Sequence, residues 1–254
     1  MATEINRFSP DYAVPPGWIL EERLEVEGIS HAEFARRCGR SAKLISEIIS
    51  GKAPLEPGTA LQFEKVLGVD ASIWLGIESE FRLHRAREVE ARNAAASAEW
   101  VKAFPVSDLV KRGCFQRPKS DIDAVAKLLA FFRVGSVDAW TARYGLANVA
   151  YRHSPRFKSN EAALATWLRL GEIEAEGQEC AEYNDSRFRH AVRNIRCLTR
   201  EPVIEALDQT ARLCNEAGVA LTLVQPLPKT ALSGAAWWLS PRKAVIQLGA
   251  RHKT

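Results

Sequence analysis

The chain has 254 residues, of which 46% are apolar and 26% charged, with a formal net charge of +4. This balance excludes a disordered or collagen-like chain, and the length favours one or two globular domains. Mild basicity permits a nucleic-acid partner without demanding one, no apolar run approaches a bilayer span, and the opening MATEINRFSPDYAVPPGW lacks the apolar core of a signal peptide.

Residues 1–16 are polar and carry Pro10, Pro15 and Pro16, which predicts an extended arm. From Pro16 to Gly76 helix signals crowd together. GWILEERLEVEGIS places Ile19, Leu20, Leu24 and Val26 roughly on one face and stops at Gly28. Ser30 and Glu33 form a capping box ahead of HAEFARRCG, and Gly39 ends that short helix. Ser41 caps AKLISEIIS, which stops at Gly51. After Pro54 and Pro57, Thr59 and Gln62 read as another capping box opening ALQFEKVLG, which ends at Gly68. DASIWLGIESEFRLHRAREVEARNAAASAEW predicts one or two further helices. The domain expected over 17–77 is therefore a compact unit of five helices.

Residues 78–120 read as a helical linker, with Pro105, Gly113 and Pro118 marking a joint. After it, DIDAVAKLLAFFRV, EAALATWLRLGEIEAEG and REPVIEALDQTARLCNEAG predict amphipathic helices. VALTLVQPL, AAWWLS and AVIQLG predict short strands, with Ser240-Pro241-Arg242-Lys243 turning between the last two. The fold class expected is mainly α: a five-helix unit, then an α+β region over 121–254 with a small sheet near its end.

The chemistry concentrates in residues 30–52. Two short helices joined by a tight glycine turn define a helix-turn-helix. Ala35 is small where the helices cross, and Gly39 suits a positive φ at the turn. Leu44, Ile45, Ile48 and Ile49 share the inner side of the second helix. Ala42, Lys43, Ser46 and Glu47 face away, short enough to enter a major groove and equipped to read base edges. Arg36, Arg37, Arg40, Lys43 and Lys52 cluster around the turn against Glu47, which suggests phosphate contacts. Ser41 and Thr59 begin helices, whose amides can also meet phosphates.

Histidines and cysteines carry no such pattern. His31, His84, His153, His190 and His252 show no i, i+4 pair, and Cys38, Cys114, Cys180, Cys197 and Cys214 form no CxxC. The expectation is no metal, no cofactor, no catalytic residue and no enzymatic activity, with reduced thiols in a cytoplasmic protein. Trp237, Trp238, Leu239, Val245 and Ile246 read as core of the strands.

PPGWILEERLEVEGISHAEFARRCGRSAKLISEIISGKAPLEPGTALQFEKVLGVDASIWLGIESEFRLHRAR resembles the HigA/VapI-type antitoxins of the Xre helix-turn-helix family. The resemblance rests on the Pro-Gly before the first helix, Gly39-Arg40-Ser41, Ser50-Gly51-Lys52, Leu67-Gly68 and Trp74. It implies a homodimer on a palindromic double-stranded DNA operator, autorepression of its own gene, and a RelE/HigB-like toxin partner. By position it implies base reading by Ala42, Lys43, Ser46 and Glu47, and phosphate contacts by Ser41, Lys52 and Thr59. His31 stands where relatives often have a phosphate-contacting Gln, and Arg40 where many have an apolar residue. Residues 121–254 resemble an ImmA/IrrE-type domain, whose zinc helix bearing HExxH would follow Thr254; without the catalytic helices, the resemblance implies one open sheet face, as a dimer, partner or ligand surface. The alternatives are therefore a shortened regulator-peptidase without its zinc site, and a toxin-neutralising protein-binding module.

Overall fold

The computed structural model describes residues 12–145, 161–228 and 233–249. Most of the expected N-terminal arm, His153 and His252 lie outside the described residues. The chain divides into two compact units, Met1–Asn93 and Ala94–Thr254. Among the described residues it is mainly helical, with one small sheet.

In the first unit α1 spans Pro16–Glu27, α2 His31–Arg37, α3 Ala42–Ile49, α4 Pro57–Leu67 and α5 Ala71–Ala96. Local chemistry sets most of these limits. Gly28 ends α1 at φ 65°, with Ile29 N donating to Leu24 O at 2.9 Å. Ser30 Oγ accepts from Glu33 N at 3.3 Å and Ser41 Oγ from Leu44 N at 3.1 Å. The capping box at Ser30 is one-sided, because the Glu33 carboxylate turns to Arg36 and Arg37. The opening of α4 corrects the sequence reading: the helix starts at Pro57, with Glu56 in the cap position and no side-chain cap. A proline pre-set for the first helical turn outweighs Thr59, which is 3% exposed inside the unit.

These helices close on Leu20, Leu24, Phe34, Ile45, Ile48, Phe63 and Trp74. Phe34 and Phe63 have ring centroids 4.9 Å apart, and Phe63 meets Trp74 edge-on at 5.7 Å. Each fully buried side chain of this kind contributes roughly 1.5–3 kcal/mol by leaving water. Asp70 Oδ1 accepts from Ser72 N and Glu64 Oε2 from Ala71 N, which caps α5.

In the second unit come α6 (Ala98–Val101), α7 (Val106–Lys111), α8 (Asp121–Phe132), α9 (Val137–Trp140), α10 (Glu161–Glu176), α11 (Asp185–Cys197) and α12 (Val203–Glu216). The strands are β1 (Val219–Leu223), β2 (Gly234–Ser240) and β3 (Lys243–Leu248). Residues 94–120, read from the sequence as linker, supply Phe104 and Leu109 to a core with Phe131, Phe132 and Trp140. The aromatic spacing that marks this core is irregular, so a Pro- and Gly-punctuated stretch concealed it.

The sheet order is β1-β3-β2, with β1 parallel and β2 antiparallel to β3. The side of the sheet bearing Ala220, Val245 and Gln247 packs on α10. Gly171 allows this approach, since a Cβ there would fall 2.0 Å from Gln247 Oε1. Gln247 Nε2 donates to Trp167 O at 2.8 Å. Arg169, 3% exposed, donates to Phe131 O and pairs with Glu172 and Glu176. The opposite side, Val219, Leu221, Ala244 and Ile246, packs on Phe188, Ile195 and Cys214 of α11 and α12. The expectation of an open face is thereby narrowed: helices meet both faces, and exposure is concentrated near β2, where Trp238 is 56% exposed.

Candidate nucleic-acid interface

The turn between α2 and α3 is built by backbone geometry. Gly39 sits at φ 63°, Gly39 N donates to Arg36 O at 3.1 Å, and Arg40 N donates to Ala35 O at 2.9 Å. This pair of bonds is a Schellman motif, which a residue with a Cβ would strain. The same motif ends α3: Gly51 is at φ 70°, and Lys52 N donates to Glu47 O at 2.8 Å. Both ends of the eight-residue helix α3 are therefore fixed, by Ser41 before and Gly51 after.

Inside, Ile45 and Ile48 are fully buried, and Leu44 and Ile49 pack against the same core. Outside, Ala42, Lys43 and Ser46 are exposed and Glu47 is half-buried. Lys43 Nζ lies 3.8 Å from Glu47 Oε1, with the lysine side chain 84% exposed. An exposed i, i+4 pair at that distance is worth about 0.3–0.5 kcal/mol, whereas a good bidentate base contact discriminates by about 1–3 kcal/mol. Base edges can therefore displace this pairing at little cost. Ser41 Oγ spends only a lone pair on its cap, which leaves its hydroxyl proton free to donate.

The remaining expected phosphate contacts are differently placed. Lys52 is exposed just beyond α3. Arg36 and Arg37 both bind Glu33, whose carboxyl is held below the usual range by the hydrogen bond from Arg37 and the charge of Arg36. Glu33 therefore joins Glu47 as a second acid against the basic cluster and lowers its field. Arg40 Nε donates to Gln62 Oε1 at 2.5 Å, tying the turn to α4. His31 Nε2 meets Glu21 Oε1 at 3.0 Å, bridging α2 to α1. Burial removes Thr59 from the surface: its side chain is not placed to touch phosphate, which corrects that expectation.

Three supports escaped the sequence reading. A Cβ on Gly17 would lie 2.2 Å from Ile49 O, so α1 rests directly on the backbone of α3. Arg82 Nη1 donates to Gly51 O at 3.3 Å while its Nε binds Glu78 at 2.6 Å, so α5 braces the end of α3. Gln62 anchors Arg40. The Pro-Gly signal could have pointed to Gly17, but the others are long-range pairings with no local pattern.

Cys38 is buried behind the turn, and that burial pushes its thiol up to about 11. The thiolate is the reactive form, so Cys38 is expected to alkylate far more slowly at pH 8 than the exposed Cys197. Mass spectrometry of a timed iodoacetamide reaction checks this, and equal rates at the two sites would contradict it. The sign for stability follows: a thiol harder to ionise when folded stabilises the fold below pH 9, and that contribution is lost as pH rises toward 11.

Among the described residues, no group of three or more His, Cys, Asp and Glu side chains is arranged to hold a metal, and no helix is long and apolar enough to cross a membrane.

No family model matches the chain. A curated relative, the uncharacterized HTH-type transcriptional regulator YddM of Escherichia coli, is 32% identical over 73 residues, 29% of this chain and 78% of the relative. Among solved structures, the antitoxin HigA of Pseudomonas aeruginosa with its higBA promoter is 26% identical, covering 32% of this chain and 89% of that one at a TM-score of 0.31. A putative antidote protein of a plasmid maintenance system from Nostoc punctiforme is 27% identical, covering 30% and 85% at a TM-score of 0.30. All of these matches cover about a third of this chain. Through that portion, the chain belongs to the HTH-type transcriptional regulators.

Proposed function

We propose that this protein is a sequence-specific DNA-binding regulator that inserts α3 into the major groove and represses its own gene in the manner of a HigA-type antitoxin. The observation that carries this reading is α3 itself: pinned at both ends, buried on Ile45 and Ile48, and presenting Ala42, Lys43, Ser46 and Glu47 outward. In this reading Lys43 donates to guanine or phosphate and Glu47 accepts from a cytosine amino group. Ser41, Lys52 and the exposed parts of Arg36, Arg40 and His31 meet phosphate and fix register. An eight-residue helix reads only a few base pairs, so a homodimer on a palindrome supplies the rest of the specificity. The ImmA/IrrE-like reading of residues 121–254 is kept as part of this proposal, as a domain serving the regulator without chemistry of its own.

Selection of duplexes from a random pool by the full chain tests the proposal. The expected product is one palindromic sequence, also present upstream of the gene. Recovery of unrelated sequences would overturn it.

A second reading, toxin neutralisation, is favoured by α1. It exposes Trp18 at 67% and Val26 at 76% beside the exposed acids Glu22, Glu25 and Glu27. An apolar and acidic surface of that kind suits a basic protein partner and repels DNA.

A further inference from the structure

The outer strand of the second unit has an unusual side-chain order. β2 reads Gly234-Ala235-Ala236-Trp237-Trp238-Leu239-Ser240, small residues first and large ones after. Among the described residues it pairs with β3 on one side only, and β3 lies between it and β1. Edge strands in proteins that stay monomeric are usually blunted by lysine, proline or another charge. None of these stands in the seven residues of β2, and its one bulge falls between Trp238 and Ser240, past the Gly234–Trp238 stretch.

The direction of its backbone groups follows from the ladder. Gly249 N donates to Ser233 O at 3.0 Å, and that pairing sets the alternation. Ala235 and Trp237 then turn their N–H and C=O toward β3, opposite Gln247 and Val245. Gly234, Ala236 and Trp238 turn theirs to the open side.

We infer that β2 is an interface with a second copy of this chain, the two strands pairing antiparallel about a two-fold axis at Ala236. The order of residue sizes selects a copy of itself as occupant. With Ala236 facing its own counterpart, Trp238 lies across from the partner's Gly234, and Trp237 from the partner's Ala235. Every tryptophan meets a small residue, on both faces of the sheet, and no like charges meet on the axis. The outward groups of Gly234, Ala236 and Trp238 exchange about six backbone hydrogen bonds with the partner, and the two three-stranded sheets become one. Trp238, 56% exposed in the single chain, is covered by this pairing, as aromatic side chains cover edge glycines. The inference rests on the proposed function only for its use, which is to bring two copies of α3 into one molecule.

The mass of the full chain in the absence of DNA tests it, so the result does not depend on whether α3 reads DNA. Sedimentation velocity at about 20 μM, a concentration at which a Kd near 1 μM or tighter gives mostly dimer, is expected to give twice the 28.2 kDa of one chain. Ala236→Pro removes an outward N–H without touching the ladder to β3, a position where an edge strand tolerates proline. It is expected to raise the dissociation constant at least about tenfold with the circular dichroism spectrum unchanged. Ala236→Lys places two charges at the axis and is expected to do the same, and it covers the case in which proline perturbs β2. A monomeric wild-type chain would overturn the inference, and so would a dimer that persists in both variants.

Discussion

Replacing Gly17 with alanine is expected to undo the packing of the DNA-reading unit. The added Cβ would sit 2.2 Å from Ile49 O, 2.5 Å from Ile49 Cα and 2.6 Å from Ile48 O. These are backbone atoms of α3 and its end, so no side-chain rotation relieves the overlap. The helix α1 must lift from α3, which exposes part of the surface under Leu20 and Leu24. Overpacking with no room to adjust costs about 3 kcal/mol or more, a large share of the stability of a unit this small. Gly28→Ala is the control. Gly28 has φ 65° but nothing within 4 Å of its would-be Cβ, so the cost there is about 1 kcal/mol of backbone strain. Hydrogen exchange of the full chain, read at the amides of α1 and α3, separates the two. Gly17→Ala should lose most protection in both helices and Gly28→Ala little. Equal protection in the two variants would show that α1 does not rest on α3.

The second large effect is on specificity. Lys43→Ala combined with Glu47→Ala removes one positive and one negative charge, so the net charge of the face is unchanged. The non-specific, counterion-release part of DNA binding should therefore change little. What is lost is direct reading of base edges, about 1–3 kcal/mol for each good contact, so for the two together about 30- to 10⁴-fold in affinity for the selected duplex. Stability should fall by only a few tenths of a kcal/mol, because the pair is exposed and 3.8 Å apart. A competition titration against scrambled duplex reads both quantities. Undiminished preference for the selected duplex would place base reading elsewhere on the chain.

The parts of this fold that follow from short-range chemistry were legible in the sequence. Ser30, Ser41, Gly28, Gly39, Gly51 and Gly68 mark helix limits by capping or by positive φ, and these are properties of a few consecutive residues. The inner and outer faces of α3 follow from helical period alone. Thr59 misled because two start signals compete within three residues, and Pro57 prevailed. Helix α5 runs to Ala96 through Gly76, where no breaker outweighs continuous helical hydrogen bonding. Helix α11 has little sequence signature because its apolar face is sparse, resting on Phe188, Ala191 and Ile195 among four arginines and one histidine. Long-range relations had no local signature. The insertion of β3 between β1 and β2, the embrace of Gly51 O by Arg82, and the diversion of Arg40 to Gln62 depend on residues far apart in sequence.

For the site, this division has a consequence. Orientation of Ala42, Lys43, Ser46 and Glu47 could be read from period, but the state of the surrounding cations could not. Arg36 and Arg37 are shared with Glu33, Arg40 with Gln62, and His31 with Glu21. On the proposed reading, the charge left for phosphate is smaller than a count of basic residues suggests, which puts more of the expected affinity on Lys43, Lys52 and Ser41.

In the proposed function, α3 reads DNA sequence. Fluorescence anisotropy of the full chain on the selected palindrome and on a scrambled duplex of equal length, between about 50 and 200 mM salt, tests it most directly. Binding to the palindrome is expected to be at least about 10³-fold tighter, with affinity for both duplexes falling linearly in log–log form as salt rises. Equal affinity for the two duplexes, or no binding to either at low salt, would contradict it.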